Sequence, residues 1–230
     1  MGKKNKLKKF EDLHRYSNVY ENADPRNPGL TGPDNAPVSM KGNWAKGHFA
    51  NENPICLELA CGRGEYAVAL AQAQSGVNYI GVDVKGARIW KGASLALEKE
   101  IKNVAFLRTR IEQVDLFFAS AEVSEIWITF PDPFLRVSKS SKRLTSARFL
   151  SLYRKILAPG GVVHLKTDDP TLFEFTVQTL AEDLQCRILY QNSDIYASEL
   201  AFPELAHKTR YESEHLADGR KIKYIRFLIN

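Results

Sequence analysis

From Ile55 onward the sequence alternates short apolar runs with segments of helical periodicity, and this alternation constrains the fold more than any other feature. Strands are predicted at 55–60, 77–82, 104–107, 126–130, 162–166, 186–191 and 222–229, and helices at 64–74, 86–101, 111–118, 146–157 and 172–184. Strands separated by helices need crossover connections, which make neighbouring strands parallel and cover the sheet on both faces. We therefore predict an α/β fold with a doubly wound, mostly parallel sheet.

The first 54 residues do not share this alternation. Residues 1–13 carry five lysines and are predicted to form either a solvated tail or a flexible arm that contacts phosphates. Residues 14–53 are rich in Asn, Pro and Gly without a sustained period, which predicts an irregular segment lying over the core, held there by Trp44 and Phe49. We divide the chain into a basic, irregular N-terminal extension, 1–54, and one domain, 55–230.

Several classes of protein are disfavoured by what the sequence lacks. The three cysteines have no CxxC spacing and the five histidines form no metal-binding pattern, so neither a disulfide framework nor a metal site is predicted. No apolar run approaches the roughly 18 residues of a membrane span, and no apolar segment follows the charged N-terminus. We expect a cytoplasmic protein without membrane contact. Its net charge of +5 favours a polyanionic partner without establishing one.

The predicted strand 126–130 ends in Pro131-Asp132-Pro133, two prolines that hold a carboxylate at the strand tip. From Pro133 to Thr167 the chain then has no Asp or Glu but eight basic residues. A single acid followed by a basic segment indicates a reactive site beside a polyanion. The segment 136–155 is expected to bind an RNA backbone, and the alternative is a solvated helical face.

The loop after the first predicted strand has the features of a nucleotide site. Gly62 and Gly64 allow the backbone to approach a ligand closely, although a glycine pair alone also suits an ordinary tight turn. The acidic neighbours Glu58 and Glu65 argue against a pyrophosphate and favour a cationic ligand. Asp83, which ends the second strand, is placed to accept hydrogen bonds from ribose hydroxyls. A ligand that combines a ribose, an adenine and a positive centre is S-adenosylmethionine.

Five motifs in order resemble the bacterial tRNA (guanine-N7)-methyltransferase family. They are Phe130-Pro131-Asp132-Pro133-Phe134, Lys142-Arg143-Leu144-Thr145, Ala158-Pro159-Gly160-Gly161, Thr167-Asp168, and Thr209-Arg210-Tyr211-Glu212 followed by Gly219 and the last strand. The resemblance covers about 55–230. It implies a Rossmann-like class I methyltransferase fold, S-adenosylmethionine as methyl donor, S-adenosylhomocysteine as product, and tRNA as the partner that is methylated at guanine N7, in the variable loop. No protein partner can be inferred from the sequence.

The resemblance also implies roles for individual residues. The residues expected at the methyl donor, from the loop and the resemblance together, are Glu58, Gly62, Gly64, Asp83, Arg110 and Asp132. The residues expected at the tRNA, from the basic run and the resemblance together, are Arg136, Lys142, Arg143, Asp168, Thr209, Arg210, Tyr211 and Glu212. Asp132 is the expected catalytic residue, and substitution of Lys142 or Arg143 is expected to flatten the salt dependence of tRNA binding.

The sequence departs from the family pattern at several positions. Phe134 stands where a Trp is usual, Ala60 replaces the first glycine of the loop, and Ser138, Ser140 and Ser141 dilute the basic run. Arg110 stands where an Asp often faces adenine, and an arginine cannot accept a hydrogen bond from the adenine amino group. Either a backbone group or Glu112 replaces that contact, or the contact is missing.

Alternative roles stay open for three of the acids. Asp132 could serve only to cap its turn, Asp168 could be the N-cap of the helix that begins near Pro170, and Glu212 could be a surface acid. Three other functions also stay open: a methyltransferase with another substrate, a non-catalytic RNA-binding protein of the same fold, and a nicotinamide-linked oxidoreductase.

Overall fold

The computed structural model describes residues 3–230, with side chains from Leu7 onward. The strands are β1 (Val19–Glu21), β2 (Leu30–Thr31), β3 (Pro37–Val38), β4 (Ile55–Leu59), β5 (Asn78–Asp83), β6 (Val104–Arg108), β7 (Val123–Thr129), β8 (Leu157–Thr167), β9 (Cys186–Asn192) and β10 (Lys223–Ile229). The α-helices are α1 (Lys3–Leu13), α2 (Trp44–Gly47), α3 (Glu65–Ala73), α4 (Gly86–Glu98), α5 (Ala147–Arg154), α6 (Pro170–Glu182) and α7 (Arg210–Ala217). Short 3₁₀ helices include 111–116, 137–142 and 203–206.

All ten strands form one sheet in the order β3-β2-β1-β6-β5-β4-β7-β8-β10-β9. The run from β1 through β6, β5, β4 and β7 to β8 is parallel, and β10 is antiparallel to both β8 and β9. Every residue of β4 and β5 is buried, as expected for central strands that are covered on both faces. The predicted doubly wound, mostly parallel α/β sheet is confirmed.

The strand order changes direction at β4. The chain continues from β4 to β5 and β6 on one side, whereas β7 and β8 lie on the other side. At such a switch point, the connections that leave the carboxyl ends of two neighbouring strands diverge and leave a crevice. The loop after β4 and the turn after β7 therefore face each other across a gap at this edge of the sheet.

The segment before β4 is more regular than its composition predicts. Lys3–Leu13 is a helix that packs on α4, where the Trp90 indole N–H donates to Asp12 at 2.9 Å, so the expectation of a tail or flexible arm was wrong for these residues. β1 joins the sheet beside β6. Strands of two or three residues are too short to show a period, which is why the sequence did not reveal them. The boundary at residue 54 stays a prediction.

Two further differences lie in the second half of the chain. α5 ends at Arg154, and Pro159-Gly160-Gly161 lies within β8. The three residues form a bulge there, because Val123 pairs with Leu157 while Glu125 pairs with Val162. Gly160 has a φ of 77° there, a conformation that suits glycine. The region 192–221, which has no clear period, contains α7. Across the described chain, no helix has the length and apolar character needed to cross a bilayer.

Candidate functional site

A cleft of about 980 Å³ opens at the carboxyl edge of the sheet, at the switch point between β4 and β7. Four parts of the chain line it: the loop after β4, the turn after β7, the start of α7, and one side formed by α1 and α4. The lining includes Lys9, Glu58, Ala60, Gly62, Arg63, Glu65, Arg88, Lys91, Thr129, Phe130, Asp132, Thr209, Arg210, Tyr211 and Glu214. The fold thus brings together six of the predicted site residues in one cavity.

Glu58 lies at the floor of the cleft and is buried. Its carboxylate accepts hydrogen bonds from the Ala67 N–H at 2.9 Å and from the Thr129 hydroxyl at 2.7 Å, so it joins β4 to α3 and to the end of β7. Burial raises the pKa of Glu58 to about 7, and these two hydrogen bonds offset part of the rise. Glu58 is therefore a proton-binding group close to neutral pH.

The loop after β4 is held in left-handed backbone conformations. Ala60, Gly62 and Gly64 have φ values of 58°, 55° and 67°, and at Ala60 this costs about 1–2 kcal/mol because alanine has a Cβ. A Cβ at Gly62 would meet nothing nearer than the Ala60 carbonyl oxygen at 4.0 Å, whereas one at Gly64 would overlap the Phe106 ring. Asp83 fixes the loop, since its carboxylate accepts from the Gly62 N–H at 3.0 Å. The two glycines have different tasks: access at Gly62 and close packing at Gly64.

The turn after β7 presents Asp132 to the cleft. The residues flanking the turn, Phe130 and Phe134, have left-handed φ values of 48° and 42°, which is uncommon for aromatic residues. One Asp132 oxygen accepts from the Phe134 N–H at 3.0 Å, while the other makes no hydrogen bond within the described chain. Asp132 is exposed. Asp132 caps the turn, as one alternative predicts, and it also offers a second carboxylate oxygen to the cleft. Its catalytic role stays a prediction.

The start of α7 forms another wall of the cleft. The Thr209 hydroxyl caps the helix by accepting from the Glu212 N–H at 3.1 Å, and the Arg210 N–H donates to Glu65 at the start of α3 at 2.9 Å. Tyr211 is half exposed, and its ring centroid lies 5.7 Å from that of Phe130. An aromatic face is thus available beside Asp132.

Glu212 does not face the cleft. Its side chain is completely buried and pairs with the equally buried Lys166, whose ammonium lies 2.7 Å from the carboxylate. The Tyr196 hydroxyl donates to the same oxygen at 2.7 Å. Burial lowers the pKa of Lys166, while Glu212 acts in the opposite direction. The geometry supports neither a nucleotide contact nor a surface acid, because a buried, paired carboxylate is out of reach of a ligand.

Asp168 also lies outside the lining of the cleft. Its carboxylate is 2.8 Å from both the His215 ring and the Arg220 guanidinium. The N-cap of α6 is instead Asp169, which accepts from the Leu172 N–H at 2.7 Å. Asp168 therefore holds the end of β8 to α7, and the capping alternative applies to its neighbour.

The four other predicted basic residues differ in their exposure to solvent. Arg110, Arg136 and Lys142 are exposed and do not line the cleft. Arg143, expected on the RNA backbone, is only 4% exposed, and its guanidinium donates to protein carbonyls. The geometry contradicts a phosphate contact for Arg143, since its donors face inward.

Four basic side chains in the cleft lining were not among the predicted site residues. Lys9 belongs to α1, Arg88 and Lys91 to α4, and Arg63 to the loop after β4. Arg210 of α7, which was predicted at the tRNA, is a fifth base in the lining. Lys9, Arg88 and Lys91 lie in segments with ordinary helix patterns, and the packing of α1 on α4 brings Lys9 to the same edge as Arg88 and Lys91. The cleft therefore combines one buried acid, Glu58, and the exposed Asp132 with bases that are exposed or partly exposed.

The sheet, the loop and the acid-containing cleft define a Rossmann-like class I methyltransferase. A family model described as "Putative methyltransferase" matches residues 52–225. The crystal structure of the 16S rRNA methyltransferase KamB has the same fold, with a TM-score of 0.63 and 13% identity over 84% of this chain and 95% of that chain. A 16S rRNA (adenine(1408)-N(1))-methyltransferase from Catenulisporales acidiphilia gives a TM-score of 0.56 at 20% identity, over 82% and 92%.

Curated relatives specify the family. A tRNA (guanine-N(7)-)-methyltransferase of Bacteroides fragilis is 47% identical over 98% of this chain and 86% of its own length. That of Christiangramia forsetii is 44% identical over the whole of both chains. The chain belongs to the tRNA (guanine-N(7)-)-methyltransferase family, which confirms the predicted resemblance. The similarity also includes the first 54 residues, which the motifs left out.

The first prediction concerns protonation of Glu58. Because its pKa is raised to about 7, the folded protein keeps a proton that the unfolded chain has lost above about pH 4.5. The free energy of unfolding should therefore fall as pH rises from about 4.5 to 7, by at most about 1.4 kcal/mol per pH unit from this group. Urea unfolding at several pH values should show a flatter profile for Glu58→Gln. Identical profiles for the two proteins would contradict the assignment.

The second prediction concerns the buried ion pair. Glu212→Gln leaves the Lys166 ammonium buried without its counter-charge, which should cost about 3–5 kcal/mol in the free energy of unfolding. The matched control is Glu214→Gln on the same helix, because Glu214 forms an exposed pair with Arg210 and should matter far less. Denaturant unfolding measures both. Equal losses for the two variants would show that burial of the pair is unimportant.

Proposed function

We propose that this protein transfers the methyl group of S-adenosylmethionine to N7 of a guanine in the variable loop of tRNA, in the cytoplasm. The observation that carries the proposal is the free carboxylate oxygen of Asp132, exposed at the cleft of a chain that matches its family over its whole length. Curated relatives bear the name of this activity. The guanine position and the cellular location are extensions of that similarity.

The loop after β4 and the acids around it fit the methyl donor. A Cβ at Gly62 would meet nothing nearer than the Ala60 carbonyl oxygen at 4.0 Å. Asp83 is buried behind the cleft lining, and it retains lone pairs on both oxygens that suit ribose hydroxyls. Glu58 lies beneath the same loop, where a cationic group would favour its ionised form. S-Adenosylmethionine, when bound, supplies an electrophilic methyl group on a positively charged sulfur. We assign Glu58, Gly62 and Asp83 to its binding.

The chemistry of guanine explains why the cleft needs no general base. N7 carries a lone pair without a proton at neutral pH, so no proton has to be removed before it attacks. Catalysis then depends on holding the two reactants in line. Methylation gives the purine ring a positive charge, which the fixed carboxylate of Asp132 stabilises as it develops. The task of this chain is positioning and electrostatic stabilisation.

Base selection and RNA binding use the exposed residues around Asp132. A carboxylate accepts hydrogen bonds from the N1–H and the amino group of guanine, which adenine cannot match. The half-exposed ring of Tyr211 offers a surface on which an unstacked base can lie. Exposed Arg136 and Lys142, together with the basic residues of the cleft, are suited to phosphates.

Substitution of Asp132 tests its role. Asp132→Asn keeps an oxygen that can accept from the Phe134 N–H but removes the charge, so the turn should persist while kcat for tRNA methylation falls about 10²–10³-fold. Asp132→Ala should lose at least as much and remain folded, because the side chain is exposed. Single-turnover methyl transfer with saturating tRNA measures both. Near wild-type turnover of the Asn variant would reduce Asp132 to a turn cap.

A further inference from the structure

Arg143 is separated from the solvent although it belongs to the most basic segment of the chain. Its Nε donates to the Pro133 carbonyl at 2.9 Å and its Nη2 to the Phe134 carbonyl at 3.2 Å. The central carbon of the guanidinium, Cζ, lies over the Phe175 ring of α6, 4.4 Å from the ring centroid. Lys142, the preceding residue, is exposed. Two adjacent basic residues thus have opposite surroundings.

The two carbonyls belong to the turn that carries Asp132. This turn begins at Phe130 and ends at Phe134, both of which have left-handed backbone conformations. Such conformations persist only where the surrounding structure holds them in place. The start of the turn is attached to the sheet, because the Phe130 N–H donates to the Lys166 carbonyl at 2.8 Å. Arg143 is the corresponding attachment at its end.

The anchor of Arg143 is rigid. Phe175 lies on α6, and the next residue, Thr176, shares a buried hydrogen bond of 2.7 Å with Thr145. A planar guanidinium can bridge two carbonyls and stack on an aromatic ring at once, which a lysine ammonium cannot do. The contacts around Arg143 therefore require an arginine for its shape rather than for its charge alone.

We infer that Arg143 is a positioning residue for Asp132: it fixes the turn after β7 against α6, and it does not bind tRNA phosphates. The inference rests on the proposed role of Asp132 in methyl transfer. It divides the basic segment by function, with exposed Lys142 facing the RNA and buried Arg143 facing the active-site turn.

Arg143→Lys separates the two roles because it keeps the positive charge. A positioning role predicts that kcat at saturating tRNA falls between about tenfold and a hundredfold. It also predicts that the salt dependence of the tRNA Kd stays at the wild-type slope. If Arg143 instead bound an RNA phosphate, Arg143→Lys should keep the wild-type kcat, because a lysine can also bind a phosphate. Wild-type kcat in Arg143→Lys, with a slope reduced by about 0.7–0.9 in Arg143→Ala, would overturn the inference.

Phe175→Leu provides a second test that leaves every charge in place. The ring lies behind the guanidinium, so its loss should lower kcat in the same direction as Arg143→Lys and by a smaller factor, with the salt slope unchanged. Lys142→Ala is the comparison variant and should reduce the slope by about 0.7–0.9. Thermal unfolding verifies that each variant is folded. An unchanged kcat in folded Phe175→Leu would contradict the positioning role of Arg143.

A further measurement distinguishes failure of this inference from failure of the proposed function. The Kd for S-adenosylmethionine, measured by calorimetry without RNA, should rise in Arg143→Lys and in Phe175→Leu, because the turn borders the donor site. Wild-type protein that binds the donor but methylates no tRNA would refute the proposed function alone. Variants with the wild-type donor Kd and wild-type kcat would refute the positioning role alone.

Discussion

The pairing of β4 with β7 brings together two parts of the chain that are 71 residues apart at the bond between Glu58 and Thr129. Because the strand order changes direction at β4, the loop after β4 and the turn after β7 diverge and leave the cleft between them. The hydrogen bonds of Glu58 close the floor of that cleft, and the other walls are arranged around this junction.

Four buried ionisable side chains hold the walls of the cleft in place. Glu58 supports the loop after β4, the Lys166–Glu212 pair supports α7, and Arg143 supports the turn that bears Asp132. Charged groups are costly to bury unless each finds partners, so their hydrogen bonds restrict the walls to few arrangements. Asp132 and Tyr211, the side chains suited to contact the guanine, are exposed, while those that hold the walls in position are buried.

The sequence predicted the sheet because central parallel strands are apolar throughout and separated by helices. It also predicted the loop at Gly62 and the acid at Asp132, since both follow such strands directly. It did not separate Lys142 from Arg143, because adjacent basic residues look alike until tertiary packing buries one of them. The sequence also revealed the motif that contains Glu212, but it did not reveal that the Glu212 side chain is buried. The burial of such a side chain depends on tertiary contacts, which the local sequence pattern does not encode.

Methyl transfer from S-adenosylmethionine with a labelled methyl group to unfractionated tRNA, followed by digestion to nucleosides, tests the central claim most directly. The account predicts that the label appears in 7-methylguanosine, and that the Asp132→Asn protein transfers far less of it. Label found in a different nucleoside, or none transferred by a folded protein that binds the donor, would contradict it.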